Sequence, residues 1–174
     1  SSQQELYDAM RDAFALSESV KLPVIVRLTT RLSHSRAGVE LKAPLEQNPL
    51  HAEYAPERFV LMPQNARRQY QHLLDLQPQL EALSASSFLN RAVEGSGPLG
   101  VVAFGIGYNY VMEARRMHDI GCRVLKVGHY PPPRAMIDEL FAACESVLVV
   151  EEGYPVYEEL FRGYFGSPKI RGRM

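Results

Sequence analysis

From Gly100 onward, short apolar runs alternate with amphipathic stretches, and this alternation limits the possible folds more than any other feature of the sequence. Val101–Phe104, Arg123–Val127 and Val147–Glu151 read as strands, and Lys169–Arg171 begins a fourth. Between them, Ile106–Ile120, Pro133–Cys144 and Pro155–Phe165 read as helices. Strands separated by helices of about 10–15 residues imply βαβ units and a parallel sheet, with right-handed crossovers. Met136, Ile137, Leu140, Phe141 and Cys144 fall on one face of the middle helix, a narrow stripe suited to covering a sheet. The expected class is therefore α/β with a parallel sheet. No longer repeat is present.

The first hundred residues are less regular. Residues 3–19 read as a helix striped by Leu6, Met10, Ala13, Phe14 and Leu16, with Ser1 or Ser2 as its cap and Pro23 at its exit. Leu22–Thr30 reads as a buried strand. Residues 31–58, with Pro44, Pro49 and Pro56, read as a linker with one extended patch at Val39–Leu41. Phe59–Met62 reads as a short strand. A helix should start near Pro63–Gln64, carry Tyr70, Leu73, Leu74, Leu76 and Leu80, and kink or break at Pro78. Leu83–Asn90 extends that helical stretch, and Glu94–Gly100 is a loop. One helix and one strand cannot close a core by themselves. Either they dock on the rest of the chain or they are the end of a larger domain, and apolar surface from Leu6, Met10, Phe14 and Val24–Val26 should be left over to drive association.

Charge excludes some partners. Nineteen Lys and Arg against 20 Asp and Glu give a net charge of −1, which offers no general attraction to nucleic acid or an anionic membrane. No apolar run approaches the roughly 18–20 residues of a membrane span. The opening SSQQELYDAM has no basic stretch followed by an apolar one, so no leader is expected. Cys122 and Cys144 have no Cys or His at ligand spacing, so neither a disulfide framework nor a metal site is expected, and a reduced, cytoplasmic setting is the default.

Three places carry candidate chemistry. Gly105 and Gly107 in FGIGYNY fall at a strand-to-helix turn, where dinucleotide-binding folds place their glycine loop. The third glycine of that fingerprint is replaced by Tyr110, whose ring should hinder close helix–strand approach. Glu151 ends a strand at the sheet edge where α/β proteins bind ligands, but Glu152 points to the opposite face, so the two form no carboxylate pair. The better reading is an acid bonded to a loop or a helix N-terminus. Glu158 and Arg162, four apart, read as a surface ion pair. Arg27–Arg36 gathers Arg27, Arg31 and Arg36 with Thr29, Thr30, Ser33, His34 and Ser35. Arg27, Thr30, Arg31 and His34 are candidates for holding an anion or for satisfying groups where two domains meet. His51, His72, His118 and His129 read as structural or surface groups. No serine or cysteine sits in a nucleophile pattern, and no catalytic residue is assigned. A nucleotide-binding α/β domain and a ligand-free interaction module both remain open on these residues.

Five stretches in register resemble a known family: LPVIVRLTTRLSHSR, FVLMPQNARR, GIGYNYVMEA, LKVGHYPPP and VLVVEEGYPVYEE. Together they resemble the alpha subunits of the indolepyruvate ferredoxin oxidoreductases, within the thiamine diphosphate-dependent 2-oxoacid:ferredoxin oxidoreductases. The resemblance implies that residues 1–36 end a pyrimidine-binding domain, 37–58 link, and 59–174 form a transketolase C-terminal-type domain with a Rossmann-like parallel sheet, possibly truncated. It implies oxidative decarboxylation of an aryl 2-oxoacid to an acyl-CoA, with electrons passed to ferredoxin. Thiamine diphosphate, magnesium, 4Fe–4S clusters and coenzyme A are implied for a full enzyme and none for this segment, whose role would be assembly. The implied partners are the remaining domains of the same chain, a second subunit and ferredoxin, in an oligomer.

Overall fold

Leu99–Phe104 (β2) is the centre of the molecule because its residues are apolar on both faces. Val102 and Ala103 have no exposed surface, and Val101 and Phe104 almost none. The computed structural model describes residues 2–50, 54–165 and 170–172. Parallel neighbours flank β2. Arg123–Val127 (β3) pairs on one side, with Val101 opposite Val124. Ser146–Val150 (β4) pairs on the other, with Val101 opposite Leu148. Ile170–Arg171 (β5) adds in parallel beyond β4. Among the described residues a further strand, Arg91–Val93 (β1), makes the sheet order β1-β3-β2-β4-β5. The expected parallel sheet is thus present, and the expected start of its last strand, Lys169, lies outside the described residues, as do Ser1 and His51.

The outermost strand, Arg91–Val93 (β1), was not expected. It pairs antiparallel with β3, Ala92 opposite Leu125. Three residues carry no readable period, and the strand exists because β3 offers an open ladder edge.

Gly107–Met117 (α5) covers one face through Tyr108, Val111 and Met112, which pack on Val101, Ala103 and Val124. Arg134–Ala143 (α6) and Val156–Phe165 (α7) cover the other, where Ile137, Leu140 and Phe161 meet Val102, Leu125, Val127 and Val147. The chain moves outward from β2 to β3 and then back across to β4 and β5. Crossovers of one hand must then place α5 opposite α6 and α7. Each fully buried Val or Leu contributes about 1.5–3 kcal/mol, so these two layers hold the fold. Gly100 lets α6 approach: a Cβ there would lie 2.8 Å from Cys144 Sγ.

Pro63–Ala85 (α4) runs unbroken through Pro78, where a kink or a break was expected, and stops short of Leu89 and Asn90. Phe59–Met62 is no strand. Pro56–Phe59 (α3) is a single helical turn, and the peptide then passes into α4.

At the other end, Gln3–Val20 (α1) is capped by Ser2 Oγ, which accepts from Glu5 N at 3.1 Å. Its polar stripe fixes the stretch after residue 39. Gln4 exchanges hydrogen bonds with the Glu40 backbone, Tyr7 Oη accepts from Lys42 N at 3.0 Å, and Arg11 donates to Ala43 O at 2.7 Å. Asp8 meets Lys42 Nζ at 2.6 Å, and that hydrogen bond holds the Asp8 carboxyl below its usual range. Val39–Leu41 is therefore tied down along α1, though not as a strand.

The expected strand at Leu22–Thr30 is corrected. Residues 22–27 alternate half-buried and exposed, as a strand would, but among the described residues no ladder receives them. Thr30–His34 (α2) is instead helical, because Thr29 Oγ1 caps it by accepting from Leu32 N at 3.4 Å. A strand needs partners to be stable; a capped turn does not. Of the apolar surface expected to be left over, Met10, Phe14 and Ile25 are exposed, Phe14 at 68% and Ile25 at 90%, whereas Leu6, Val24 and Val26 are half-buried.

Candidate functional site

The direction of the chain reverses between β2 and β4, and open α/β sheets bind ligands at the carboxyl ends of the strands at such a point. Two loops meet there. The one after β2 turns at Gly105, whose φ of 53° lies in the left-handed region. The one after β4 begins with Glu151.

Gly107 starts α5 directly against β4. A Cβ at this position would meet Val150 Cγ1 at 3.0 Å and Val150 O at 3.1 Å. The close helix–strand approach is thus made at Gly107. Tyr110 lies one turn further along and is half exposed, so its ring does not hinder the approach as the sequence suggested.

Glu151 accepts hydrogen bonds from Tyr157 N and Glu158 N at 2.9–3.0 Å. It caps α7 from a distance and places a negative charge where the helix dipole favours one. Glu152 is exposed. Glu158 meets Arg162 at 3.2 Å, with the expected spacing, but its side chain is only 2% exposed. The pair is therefore not a surface pair: Glu158 lies beneath the β4–α7 loop, beside a cavity of about 150 Å³ also lined by Glu151, Gly153 and Pro155.

Three nearly parallel rings fill the edge. Phe104 and Tyr157 lie 4.4 Å apart, and Tyr130 and Tyr157 5.5 Å apart. Phe161 lies beneath, at 6.1 Å from Tyr157. Burial pushes the Tyr157 phenol up to about 12, and Tyr130 and Glu151 add to the rise. Burial also raises Tyr130, opposed by Arg27 and reinforced by Glu151. Because the folded-state value of Tyr157 lies above the ordinary value of about 10, its contribution to stability is complete below pH ~10 and is lost as pH rises toward ~12. Alkaline titration of phenolate absorbance should show this tyrosine ionising last, together with the loss of folded signal. Ionisation near pH 10 in the intact fold would contradict it.

A buried polar network holds Tyr130. Asn90 Oδ1 accepts from Gly128 N and His129 N, while its amide donates to Ser84 O, Ser84 Oγ and His129 O, all at 2.8–2.9 Å. Ser84 Oγ also donates to His129 O and Pro131 O. The Tyr130–Pro131 peptide is cis. Burial pushes the His129 imidazole below its usual value. Asn90 and Ser84 escaped the sequence reading, since a lone Asn and a lone Ser carry no periodic signal.

The structure brings part of the arginine cluster to this region. Arg27 acts on Tyr130 electrostatically, and the Arg31 guanidinium lies 5.3 Å from the Tyr110 ring centroid. Thr30 starts α2 and His34 ends it, and both are exposed. Of the seven sequence candidates, Gly105, Gly107 and Glu151 share the edge, Arg27 and Arg31 approach it, and Thr30 and His34 lie on the exposed turn.

Among the described residues the donors do not fit an implied metal ion or iron–sulfur cluster. Cys122 packs on the α5 face and Cys144 on the α6 face, so the sheet separates them and they cannot share a cluster. Glu151, the acid at the edge, is engaged by two amides. No three His, Cys, Asp or Glu gather to hold a metal among the described residues. Within the same residues, no helix is long and apolar enough to cross a membrane. The arrangement positions loops and presents aromatic and cationic surface.

No family profile matches the chain. It is 38% identical over 175 residues to the indolepyruvate oxidoreductase subunit IorA of Methanothermobacter thermautotrophicus, covering 98% of this chain and 28% of that one. To the IorA of Archaeoglobus fulgidus it is 36% identical, covering 100% and 28%. To that of Pyrococcus abyssi it is 35% identical, covering 91% and 26%. The chain therefore spans little more than a quarter of these relatives. A solved 2-oxoglutarate:ferredoxin oxidoreductase from Magnetococcus marinus is 20% identical over 65% of this chain and 20% of its own, with a TM-score of 0.45.

Proposed function

We infer that this chain is a segment of an indolepyruvate-type 2-oxoacid:ferredoxin oxidoreductase, and that it serves assembly rather than the chemical step. One observation carries the reading: identity of 35–38% with IorA subunits runs through 91–100% of the chain. In this reading residues 1–36 close a pyrimidine-binding domain, residues 37–58 link, and residues 59–174 are a transketolase C-terminal-type domain. The whole enzyme, in the cytoplasm, would decarboxylate an aryl 2-oxoacid to an acyl-CoA and pass electrons to ferredoxin. Thiamine diphosphate would serve there as the electron sink, held with magnesium, 4Fe–4S clusters and coenzyme A by domains outside this segment. The chain's own part is to seat Arg27 and Arg31 against the carboxyl edge and to offer the exposed Phe14 and Ile25 to neighbouring domains or a second subunit.

The test is a chimera. These 174 residues replace the matching stretch of the Methanothermobacter thermautotrophicus subunit, expressed with the remainder of that enzyme. Indolepyruvate- and coenzyme A-dependent reduction of a viologen dye should stay within about tenfold of the native rate, a difference of about 1.4 kcal/mol in barrier. A chimera that assembles with full cofactor content and has no such activity overturns the reading.

A further inference from the structure

The sheet carries one lysine where its surroundings demand an apolar side chain. Lys126 is the next-to-last residue of β3, between Leu125 and Val127, and is 3% exposed. Strand alternation turns it to the α5 face, where its Nζ lies 5.3 Å from the centroid of the Tyr108 ring. Arg91 of β1 lies over the same ring at 5.5 Å and donates from Nη2 to Tyr108 Oη. Two cations therefore converge on one buried phenol ring. An ammonium is stable there only with a paired acid, and the acid comes from far away in sequence: Glu5 Oε2, on the first turn of α1, accepts from Lys126 Nζ. A groove of about 490 Å³ surrounds the pair, bordered by Gln4, Asp8, Phe88 and Asn90. Asp8 is already engaged by Lys42.

We propose that Lys126, Arg91 and Tyr108 form a carboxylate-receiving site on the sheet and that Glu5 is its occupant in cis. Seating of the N-terminal helix then depends on one charge pair, a buried lysine met by a partly exposed glutamate. α1 in turn carries the extended stretch at 40–43 through Gln4, Tyr7 and Arg11, and Arg58 donates back to Lys21 O. Filling the site thus fixes the path of the segment that brings Arg27 and Arg31 to the carboxyl edge. The inference concerns docking within this chain and stands apart from the proposed enzyme function.

The site is tested with the 174-residue chain and formate as the probe. Glu5→Ala should lower Tm by at least about 5 °C, since it leaves a buried cation without its acid. It should also speed proteolysis between residues 36 and 58. Added formate should restore both, with saturation, in Glu5→Ala but not in Glu5→Ala/Lys126→Met. The exchange Glu5→Lys/Lys126→Glu should recover part of the loss. Formate that raises Tm equally in both variants, or a Glu5→Ala chain with unchanged Tm and unchanged proteolysis, overturns the proposal. Should Lys126→Met prevent folding, the comparison of Glu5→Ala with Glu5→Gln under formate still decides: only the truncated side chain leaves room for the probe.

Discussion

Replacing Asn90 with alanine is expected to destabilise the fold by about 3–5 kcal/mol. The side chain accepts from two backbone amides of the β3 loop and donates to three oxygens, and Asn90 is only 6% exposed. Alanine would leave the Gly128 and His129 amides without their acceptor, at about 1–3 kcal/mol each. Thermal unfolding followed by circular dichroism should show Tm falling by about 10 °C for a chain of this size. The tyrosine signal in the near ultraviolet should change as well, because Tyr130 rides on the released loop. Asn90→Asp keeps the acceptor and loses the donors, so it should fall between the two. A loss below about 1 kcal/mol would mean that water replaces the amide, and the loop would then not depend on Asn90.

Phe161→Ala is expected to cost a similar amount for an unrelated reason. Phe161 is 1% exposed and sits among Phe104, Phe141 and Tyr157, with centroid distances of 5.8–6.4 Å. Truncating a buried phenylalanine removes transfer energy and leaves a cavity, together about 3–5 kcal/mol. Denaturant titration should show a lower midpoint with an unchanged slope. Water entering beneath Tyr157 should also bring its phenol back from about 12 toward the ordinary value. A variant with lowered stability and an unmoved Tyr157 would show that the cavity collapses instead of hydrating.

The sequence revealed the parts of this molecule that depend on local pattern. Arg123–Val127 was readable to the residue because the branched apolar Val124, Leu125 and Val127 fall together and Gly128 closes the run. The edge candidates Gly105 and Glu151 were readable because strand ends are. What failed was whatever depends on a distant partner. LPVIVRLTT has strand composition but no ladder within the described residues, so cap chemistry at Thr29 decided part of its shape. Arg91–Val93 has little strand composition and became a strand because β3 had a free edge. The spacing of Glu158 and Arg162 was right, but their depth follows from how α7 seats on the sheet. Lys126 gave the one overlooked signal: a lysine inside an apolar strand already implies an acid somewhere else in the chain.

The position of β2 also has a consequence for how the polypeptide reaches this shape. Val101 pairs with Val124 on one side and with Leu148 on the other, so the central strand is synthesised before either neighbour. No hairpin can shield it early, and both flanking contacts must close long loops before they repay that entropy. A nascent chain that has emerged only as far as α5 therefore exposes its most apolar strand, with an open ladder on each edge. Translation through β4 is the point at which that hazard ends. Slow synthesis between β3 and β4 should favour aggregation, whereas a pause after β4 should be harmless.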